Sequence, residues 1–232
     1  MATSTFYPQA GAGGANVTCD GFARRVSVDE TFATIRAGAG NSHNDTATTM
    51  FPKITTSTTT NQFSQIARCI ISFDTSSLSP DVVQSADISF YGLGKSDTFT
   101  PALNPDYYVV SATPADAADL ADADYGNTGS TSFGTFSQSG FNTSAYNDVA
   151  LNASGQANIN TSGVSSFGLR IGPDFLNSAP AWGSLETADV SIYTADQTGT
   201  TNDPKLTVIH GAAAGETKAP GVSVGSNHMF IY

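Results

Sequence analysis

One segment of the chain, Ala67 to Tyr91, constrains the fold more than any other: ARCIISFDTSSLSPDVVQSADISFY. Strand side chains alternate between two faces, so its first part predicts a strand with one apolar face. That face carries Ala67, Cys69, Ile71 and Phe73. A second strand is predicted at 86–91, with Ala86, Ile88 and Phe90 inward. Short polar side chains and Pro80 between them are typical of a turn. The segment therefore predicts two half-buried strands of a β-sandwich.

The opposite face of the first strand is mixed and carries Arg68, Ile70, Ser72 and Asp74. We expect Arg68 and Asp74 to form an ion pair that stabilises the end of the strand. Cys69, on the apolar face, is interpreted as a small buried thiol. Whether it pairs with Cys19 is left open by the sequence.

The rest of the chain is typical of an all-β domain. Charged residues make up only 12% of it, which is too little for the surface of a helical bundle. Strand-like segments, including 30–36 (ETFATIR), recur at the short spacing of sandwiches and jelly rolls. Two helical candidates are 115–124 (ADAADLADAD) and 152–159 (NASGQANI), the second with Asn152 or Ser154 as its N-cap. We predict a jelly-roll-like antiparallel β-sandwich with one or two short helical turns.

Composition divides the chain into three parts. Residues 1–21 are rich in Gly, Ala and Thr and are interpreted as an N-terminal arm or a loosely attached first strand. Residues 22–210 are interpreted as the sandwich domain, and residues 211–232 as a linker and an apolar docking tail. We expect the apolar side chains of this tail to dock on a neighbouring subunit; the alternatives are a disordered tail and a last strand that folds back on its own sandwich. These apolar side chains are Val222, Val224, Met229, Phe230, Ile231 and Tyr232.

Charge and hydropathy exclude two classes of partner. The net charge is −11, whereas nucleic-acid binding depends on cationic contacts, so neither nucleic acid nor an anionic membrane is an expected partner. The N-terminal sequence has no basic start followed by an apolar core, as a secretory signal would. No apolar run approaches the roughly 18 residues of a membrane helix. We expect the protein to be made in a cytoplasm and not to be secreted by a signal peptide.

Motifs for catalysis and metal binding are weak. Residues 221–225 read G-x-S-x-G, but a nucleophile elbow needs an acid as well as His228 after it, and no acid follows. The densest acidic group, which includes Asp122 and Asp124, is interpreted as a solvated helix face, with calcium as the alternative. No metal or other cofactor is predicted beyond that alternative. No side chains converge as an acid–base pair or a triad, so we predict that the protein is not an enzyme.

The segment Arg68 to Leu78, followed by Ala86 to Tyr91, resembles the core motif of DNRLRE-type (disaggregatase-related) β-sandwich modules. In that motif an R-x-x-L-x-F-D-x-S-x-L strand and turn precede an A-x-L-x-L-Y strand. Segments such as 30–41 (ETFATIRAGAGN) and 195–208 (ADQTGTTNDPKLTV) resemble stand-alone versions encoded by tailed phages. The likeness covers about residues 22–210 and implies a jelly-roll-like sandwich without catalysis.

The resemblance implies two alternative functions. In phages such modules are expected to coat or extend the virion, in contact with capsid or tail proteins or with copies of themselves. In secreted enzymes they bind carbohydrate, and an aromatic side chain that stacks on a sugar ring would support that alternative. The candidate carbohydrate contacts are Trp182, Tyr107 and Tyr108. We predict the first function, a structural protein on the surface of a tailed-phage virion.

Overall fold

The structure is a computed structural model that describes residues 1–212. These residues form thirteen strands, three short α-helices and two 3-10 turns. The strands are β1 (Ala2–Phe6), β2 (Asp20–Glu30), β3 (Ser42–Asn44), β4 (Thr49–Met50), β5 (Lys53–Thr56), β6 (Phe63–Asp74), β7 (Val82–Asp97), β8 (Asp106–Ser111), β9 (Gly134–Ser137), β10 (Tyr146–Ala150), β11 (Val164–Ile171), β12 (Thr187–Tyr193) and β13 (Lys205–Gly211). The helices are α1 (Phe32–Ala37), α2 (Ala153–Ala157) and α3 (Gly172–Leu176), and the 3-10 turns are Ser76–Leu78 and Asp122–Gly126.

Antiparallel strands form two layers that share β7. One layer has the order β1-β13-β7-β10, and the other is built around β6, which pairs with β2, β5 and β11. Residues 82–91 of β7 belong to the first layer, and residues 92–97 pair with β12 in the second. At the crossing, a Cβ atom on Gly92 would lie 2.0 Å from the carbonyl oxygen of Asn142, so only glycine fits. The predicted fold class, a jelly-roll-like β-sandwich, is confirmed.

The main hydrophobic core lies between the two layers. Ile88 and Phe90 enter it from the first layer, and Ile71 and Phe73 enter it from the second. The inward faces predicted from the sequence are confirmed, because all of their side chains are buried: Ala67, Cys69, Ile71, Phe73, Ala86, Ile88 and Phe90.

The prediction that β6 is half-buried is wrong, because its second face is covered as well. Ile70 is fully buried in a smaller apolar cluster with Cys19, Ala112 and Leu120. Cys69 lies on the opposite face of β6, in the main core. Both cysteines are free thiols, so the two do not form a disulfide.

The predicted ion pair between Arg68 and Asp74 is also wrong. Asp74 is exposed at the end of β6 and accepts a hydrogen bond of 3.1 Å from the backbone N–H of Ser76. Arg68 instead binds the carboxylate of Asp174 in α3, with Nε donating to Oδ2 at 2.8 Å and Nη2 donating to Oδ1 at 2.7 Å. Arg170 of β11 makes a second two-bond pair with the same carboxylate, at 2.8 and 2.9 Å.

The Asp174 carboxylate is fully buried between these two guanidinium groups. Burial alone raises the pKa of Asp174, but the charges and hydrogen bonds of Arg68 and Arg170 outweigh it and hold the pKa below its usual range. Arg68 also lies over the Tyr125 ring, 4.0 Å from its centroid, and donates to the carbonyl oxygen of Tyr125 at 2.6 Å. Paired bonds of this kind are among the strongest in proteins, and here they join β6, β11 and α3.

Residues 30–36 were predicted as a strand, and this prediction is wrong, because residues 32–37 form α1. Phe32 and Ile35 are both buried. Residues three apart share a face of a helix but lie on opposite faces of a strand. Thr31 is the N-cap of α1, and its hydroxyl oxygen accepts a hydrogen bond of 3.3 Å from the backbone N–H of Thr34.

The prediction of a helix at 115–124 is wrong over most of this range, since only the 3-10 turn Asp122–Gly126 forms there. Its aspartates bond the nearby backbone instead. The Asp116 carboxylate accepts a hydrogen bond of 2.9 Å from the backbone N–H two residues later. The Asp124 carboxylate accepts a hydrogen bond of 3.0 Å from the backbone N–H of residue 115. Such local bonds compete with the helical ladder, which is why aspartate disfavours helix interiors.

The helical turn predicted at 152–159 is confirmed as α2. Asn152 is its N-cap, and the side-chain oxygen of Asn152 accepts a 3.0 Å hydrogen bond from the N–H of Gly155. Among residues 1–212, no helix is both long and apolar enough to cross a membrane.

Replacing Phe73 tests the assignment of the core. Its ring is fully buried and packs edge-on against Phe167, with the ring centroids 6.2 Å apart. We expect Phe73→Ala to lower the free energy of unfolding by about 3–5 kcal/mol, because it removes buried surface and leaves a cavity. Denaturant unfolding measures this loss. Leu93→Ala, at an exposed position of β7, should change stability by less than about 1 kcal/mol. Equal effects at the two positions would show that the core is wrongly placed.

Candidate functional site

A surface cleft of about 360 Å³ opens between the start of β8 and α3. Its lining is mainly apolar and includes Tyr108, Pro173 and Leu176. Leu176, one of the lining residues, is 60% exposed. Asp106 adds a carboxylate to the lining. The cleft therefore offers an apolar surface with a polar rim, a combination that suits a ligand or a partner side chain.

Helix α3 connects this cleft to the buried arginine pairs. Asp174 lies in the interior, while the next residue, Phe175, stacks on Tyr108 with ring centroids 4.1 Å apart and an interplanar angle of 14°. The helix ends at Asn177, whose φ of 53° and ψ of 44° form a left-handed C-cap. Because Asp174 is held by Arg68 and Arg170, the wall of the cleft is anchored to the centre of the fold.

Only one of the three aromatic side chains predicted to contact carbohydrate lines the cleft, and it is Tyr108. Tyr107 points to the other side of β8, is fully buried and stacks on Phe136 with ring centroids 5.2 Å apart. Tyr107 is therefore a core residue that is inaccessible to a ligand. Trp182 is half-buried and lies outside the lining. The structure does not bring the three side chains together in one groove.

Three residues that are distant in sequence form a hydrogen-bonded relay at the edge of the first layer. Ser4 Oγ lies 2.9 Å from His210 Nε2, and His210 Nδ1 lies 2.7 Å from Asp81 Oδ2. The His210 side chain is 11% exposed and that of Asp81 is 31% exposed. Sequence analysis missed this relay because its members belong to no local motif. Only the pairing of β1 with β13 brings Ser4 to His210.

The acidic side chains considered for calcium have separate structural roles. Asp124 is fully buried, and its Oδ1 accepts a second hydrogen bond from Asn127 at 2.8 Å. Asp122 lies 2.7 Å from His43 Nδ1. Within residues 1–212, no group of three or more His, Cys, Asp or Glu side chains is arranged to hold a metal ion. The calcium alternative therefore has no site in the described part of the chain.

Asp20 is a fully buried carboxylate that forms no ion pair within residues 1–212. Its two oxygens accept from the backbone N–H of Ala195 at 3.1 and 3.3 Å. Burial raises the pKa of Asp20 well above its usual range, and the negative charges of Asp196 and Asp203 add to this effect. Burial likewise raises the pKa of the Cys69 thiol, so Cys69 is not a reactive thiolate.

The remaining candidate residues lie outside the described part of the chain. They include Ser223 and His228 of the G-x-S-x-G segment. The predicted docking residues also belong to this group: Val222, Val224, Met229, Phe230, Ile231 and Tyr232.

Comparison with known proteins adds no family assignment. No protein-family model matches the chain, and no curated protein matches its sequence. The resemblance to DNRLRE-type modules therefore stays a prediction. Inferences about function depend on the geometry described above.

Because its pKa is raised on folding, the buried Asp20 carboxylate is expected to contribute more stability at acidic than at neutral pH. Because folding raises the pKa of Asp20, the folded state binds its proton more tightly than the unfolded state. The resulting stability is fully present below the unfolded-state pKa of about 3.9 and is lost as pH rises through the folded-state pKa. We expect Asp20→Asn, which is neutral at every pH, to be more stable than the wild type at pH 7.5, by on the order of 1 kcal/mol.

Thermal unfolding between pH 4 and pH 8 tests this expectation. The gain in melting temperature for Asp20→Asn should be roughly 2–4 °C at pH 7.5 for a domain of this size and should shrink toward pH 4. Asp119→Asn, at an exposed position, should follow the wild-type profile. A gain that is independent of pH would contradict the assignment of the effect to the Asp20 charge.

Proposed function

We propose that this protein is a structural component of a tailed-phage virion surface, a capsid decoration or fibre-like protein that docks by its apolar C-terminal segment. One observation carries the proposal: β13, the final strand of the described chain, pairs on both sides, with β1 and with β7. Within the described chain both edges of β13 are thus occupied, and we propose that the apolar side chains after residue 212 bury against another subunit.

The sandwich core closes within residues 1–212. Leu206 and Val208 of β13 are fully buried in the main core, and β1 pairs with β13 over five residues, from Ala2 to Phe6. Gly211 lies beside Met1, whose Cα would be 3.6 Å from a Cβ atom on Gly211. The last described residues therefore lie next to the start of β1.

Simple energetics support docking on a repeated particle surface. Burial of one Phe or Met side chain contributes about 1.5–3 kcal/mol of binding free energy. Burial of Met229–Tyr232 would therefore be enough to hold the C-terminal segment on its partner. Many copies on one particle add avidity without new contacts. The net charge of −11 favours contact with protein over contact with encapsidated nucleic acid. The partners that fit are capsid or tail proteins or further copies of this chain.

Deletion of residues 213–232 tests the proposal. The truncated protein should keep its melting temperature within a few degrees, because it retains β13 with Leu206 and Val208 in the main core. Its self-association, measured by analytical ultracentrifugation, or its incorporation into particles, measured by mass spectrometry of purified virions, should fall at least ten-fold.

Two full-length variants separate the apolar tail from its linker. Replacing Met229, Phe230 and Ile231 with Ser should reproduce the loss of association. Replacing residues 213–221 with a Gly/Ser segment of the same length should preserve association, since a flexible linker only sets reach. Unchanged association after the deletion would refute docking, and unfolding after the deletion would make the tail part of the core.

The Tyr108 cleft supports a second candidate function, carbohydrate binding by the module alone. Tyr108 and Leu176 supply an apolar surface of the kind on which a sugar ring stacks. Binding of a glycan that is lost in Tyr108→Ala and retained in Trp182→Ala would establish this function at the cleft. Calorimetric titration with oligosaccharides of host surface glycans makes that comparison.

A further inference from the structure

We infer that Ser4, His210 and Asp81 form a nucleophilic relay. In this relay Ser4 is an activated serine that attacks carboxylic esters and becomes acylated. The proposal departs from the sequence-based prediction of a protein without catalysis. It is independent of the proposed docking of the C-terminal segment, because all three residues lie within the described chain. Ser4 is the nucleophile, His210 is the general base, and Asp81 is a positioning residue.

The hydrogen bonds determine which nitrogen of His210 carries the proton. A carboxylate only accepts hydrogen bonds, so the 2.7 Å contact with Asp81 requires the proton on Nδ1. In the neutral ring Nε2 then has a lone pair and accepts from the Ser4 hydroxyl at 2.9 Å. A serine whose hydroxyl donates to an imidazole that a carboxylate orients is the arrangement that serine nucleophiles require.

The backbone places these side chains through two features of the first layer. Ser4 pairs with Val208, so it lies diagonally across from His210 on the same face of the sheet, within reach of its ring. At His210 the register of β13 against β7 shifts: Ile209 faces Ser85, whereas His210 faces Val83. This bulge inserts one extra residue in β7. Bulges re-aim side chains and recur next to active sites.

A surface cleft borders the Asp81 end of the relay, and neither Ser4 nor His210 belongs to its lining. The cleft has a volume of about 370 Å³, with Asp81, Val83 and Ile159 in the lining. Asp81 belongs to both the relay and the cleft, and Val83 is the residue that faces His210 across the strands. Ser4 itself is half-buried on β1, for which β13 is the only partner strand in the described chain. In the described chain the other edge of β1 pairs with no strand, so the proposal has a small ester approach Ser4 along this edge.

The reaction that this geometry supports is hydrolysis of a carboxylic ester. Ser4 Oγ bonds to the carbonyl carbon while its proton passes to His210 Nε2. The bond from carbon to the alkoxy oxygen then breaks, and the leaving alcohol takes that proton. Water attacks the acyl group on Ser4, gives a proton to His210, and releases the carboxylic acid as Ser4 Oγ recovers the proton. The net change is ester plus water to acid plus alcohol.

A fluorophosphonate probe tests the nucleophile directly on the full-length chain, since it phosphonylates an activated serine with loss of fluoride. We expect labelling of the peptide that contains Ser4, identified by mass spectrometry, and hydrolysis of p-nitrophenyl acetate above the rate of the Ser4→Ala protein. Ser4→Ala should abolish the labelling. Ser137→Ala should leave it unchanged, because Ser137 is a half-buried edge-strand serine whose hydroxyl contacts another serine.

Asp81→Asn distinguishes a relay that activates Ser4 from hydrogen bonds that only stabilise the fold. The amide of Asn donates to Nδ1, which moves the ring proton to Nε2, and Ser4 then loses its acceptor. We expect labelling to fall at least ten-fold in Asp81→Asn while circular dichroism and the melting temperature stay close to wild type. His210→Gln should show the same loss. The proposal is overturned if Ser4 labels no faster than Ser137, or if the folded Asp81→Asn protein labels at the wild-type rate.

Discussion

A single buried carboxylate, that of Asp174, is the interaction on which the arrangement of this sandwich depends. An isolated charge in a protein interior is strongly unfavourable, and pairing must offset its desolvation. Here Arg68 and Arg170 each form two hydrogen bonds with it. The group therefore requires β6, β11 and α3 to meet at one point. Apolar packing alone would tolerate more than one placement of α3, whereas four directed bonds specify one.

The same group explains why the second face of β6 is covered. Arg36 of α1 donates through Nε to the backbone carbonyl of Asp174 at 2.6 Å, and Arg68 donates to the carbonyl of Arg36 at 3.0 Å. The hydroxyl of Tyr125 donates to the carbonyl of Ile35 at 2.9 Å. Helix α1 and the 3-10 turn around Tyr125 are thus bound to one centre. On its outer side, α3 presents Leu176 to the cleft, and Phe175 stacks on Tyr108.

The sequence was sufficient for the core but not for the polar centre. Alternation in β6 and β7 identified the inward faces correctly, because apolar burial leaves a period in the sequence. Arg68 was assigned to Asp74, its neighbour six residues on, since its true partner lies 106 residues away. The Ser4–His210–Asp81 relay was missed for the same reason. Long-range polar pairs leave no local pattern, so only the strand pairing reveals them.

Comparing Asp174→Asn with Asp74→Asn in denaturant unfolding measures how far the fold depends on the buried carboxylate. Both changes remove one negative charge and keep the shape of the side chain, but only Asp174 is buried between arginines. We expect Asp174→Asn to lower the free energy of unfolding by about 3–5 kcal/mol, because it leaves two buried guanidinium groups without a counter-charge. Asp74→Asn should change stability by less than about 1 kcal/mol. Losses of equal size, or a loss below about 1 kcal/mol for Asp174→Asn, would contradict this dependence.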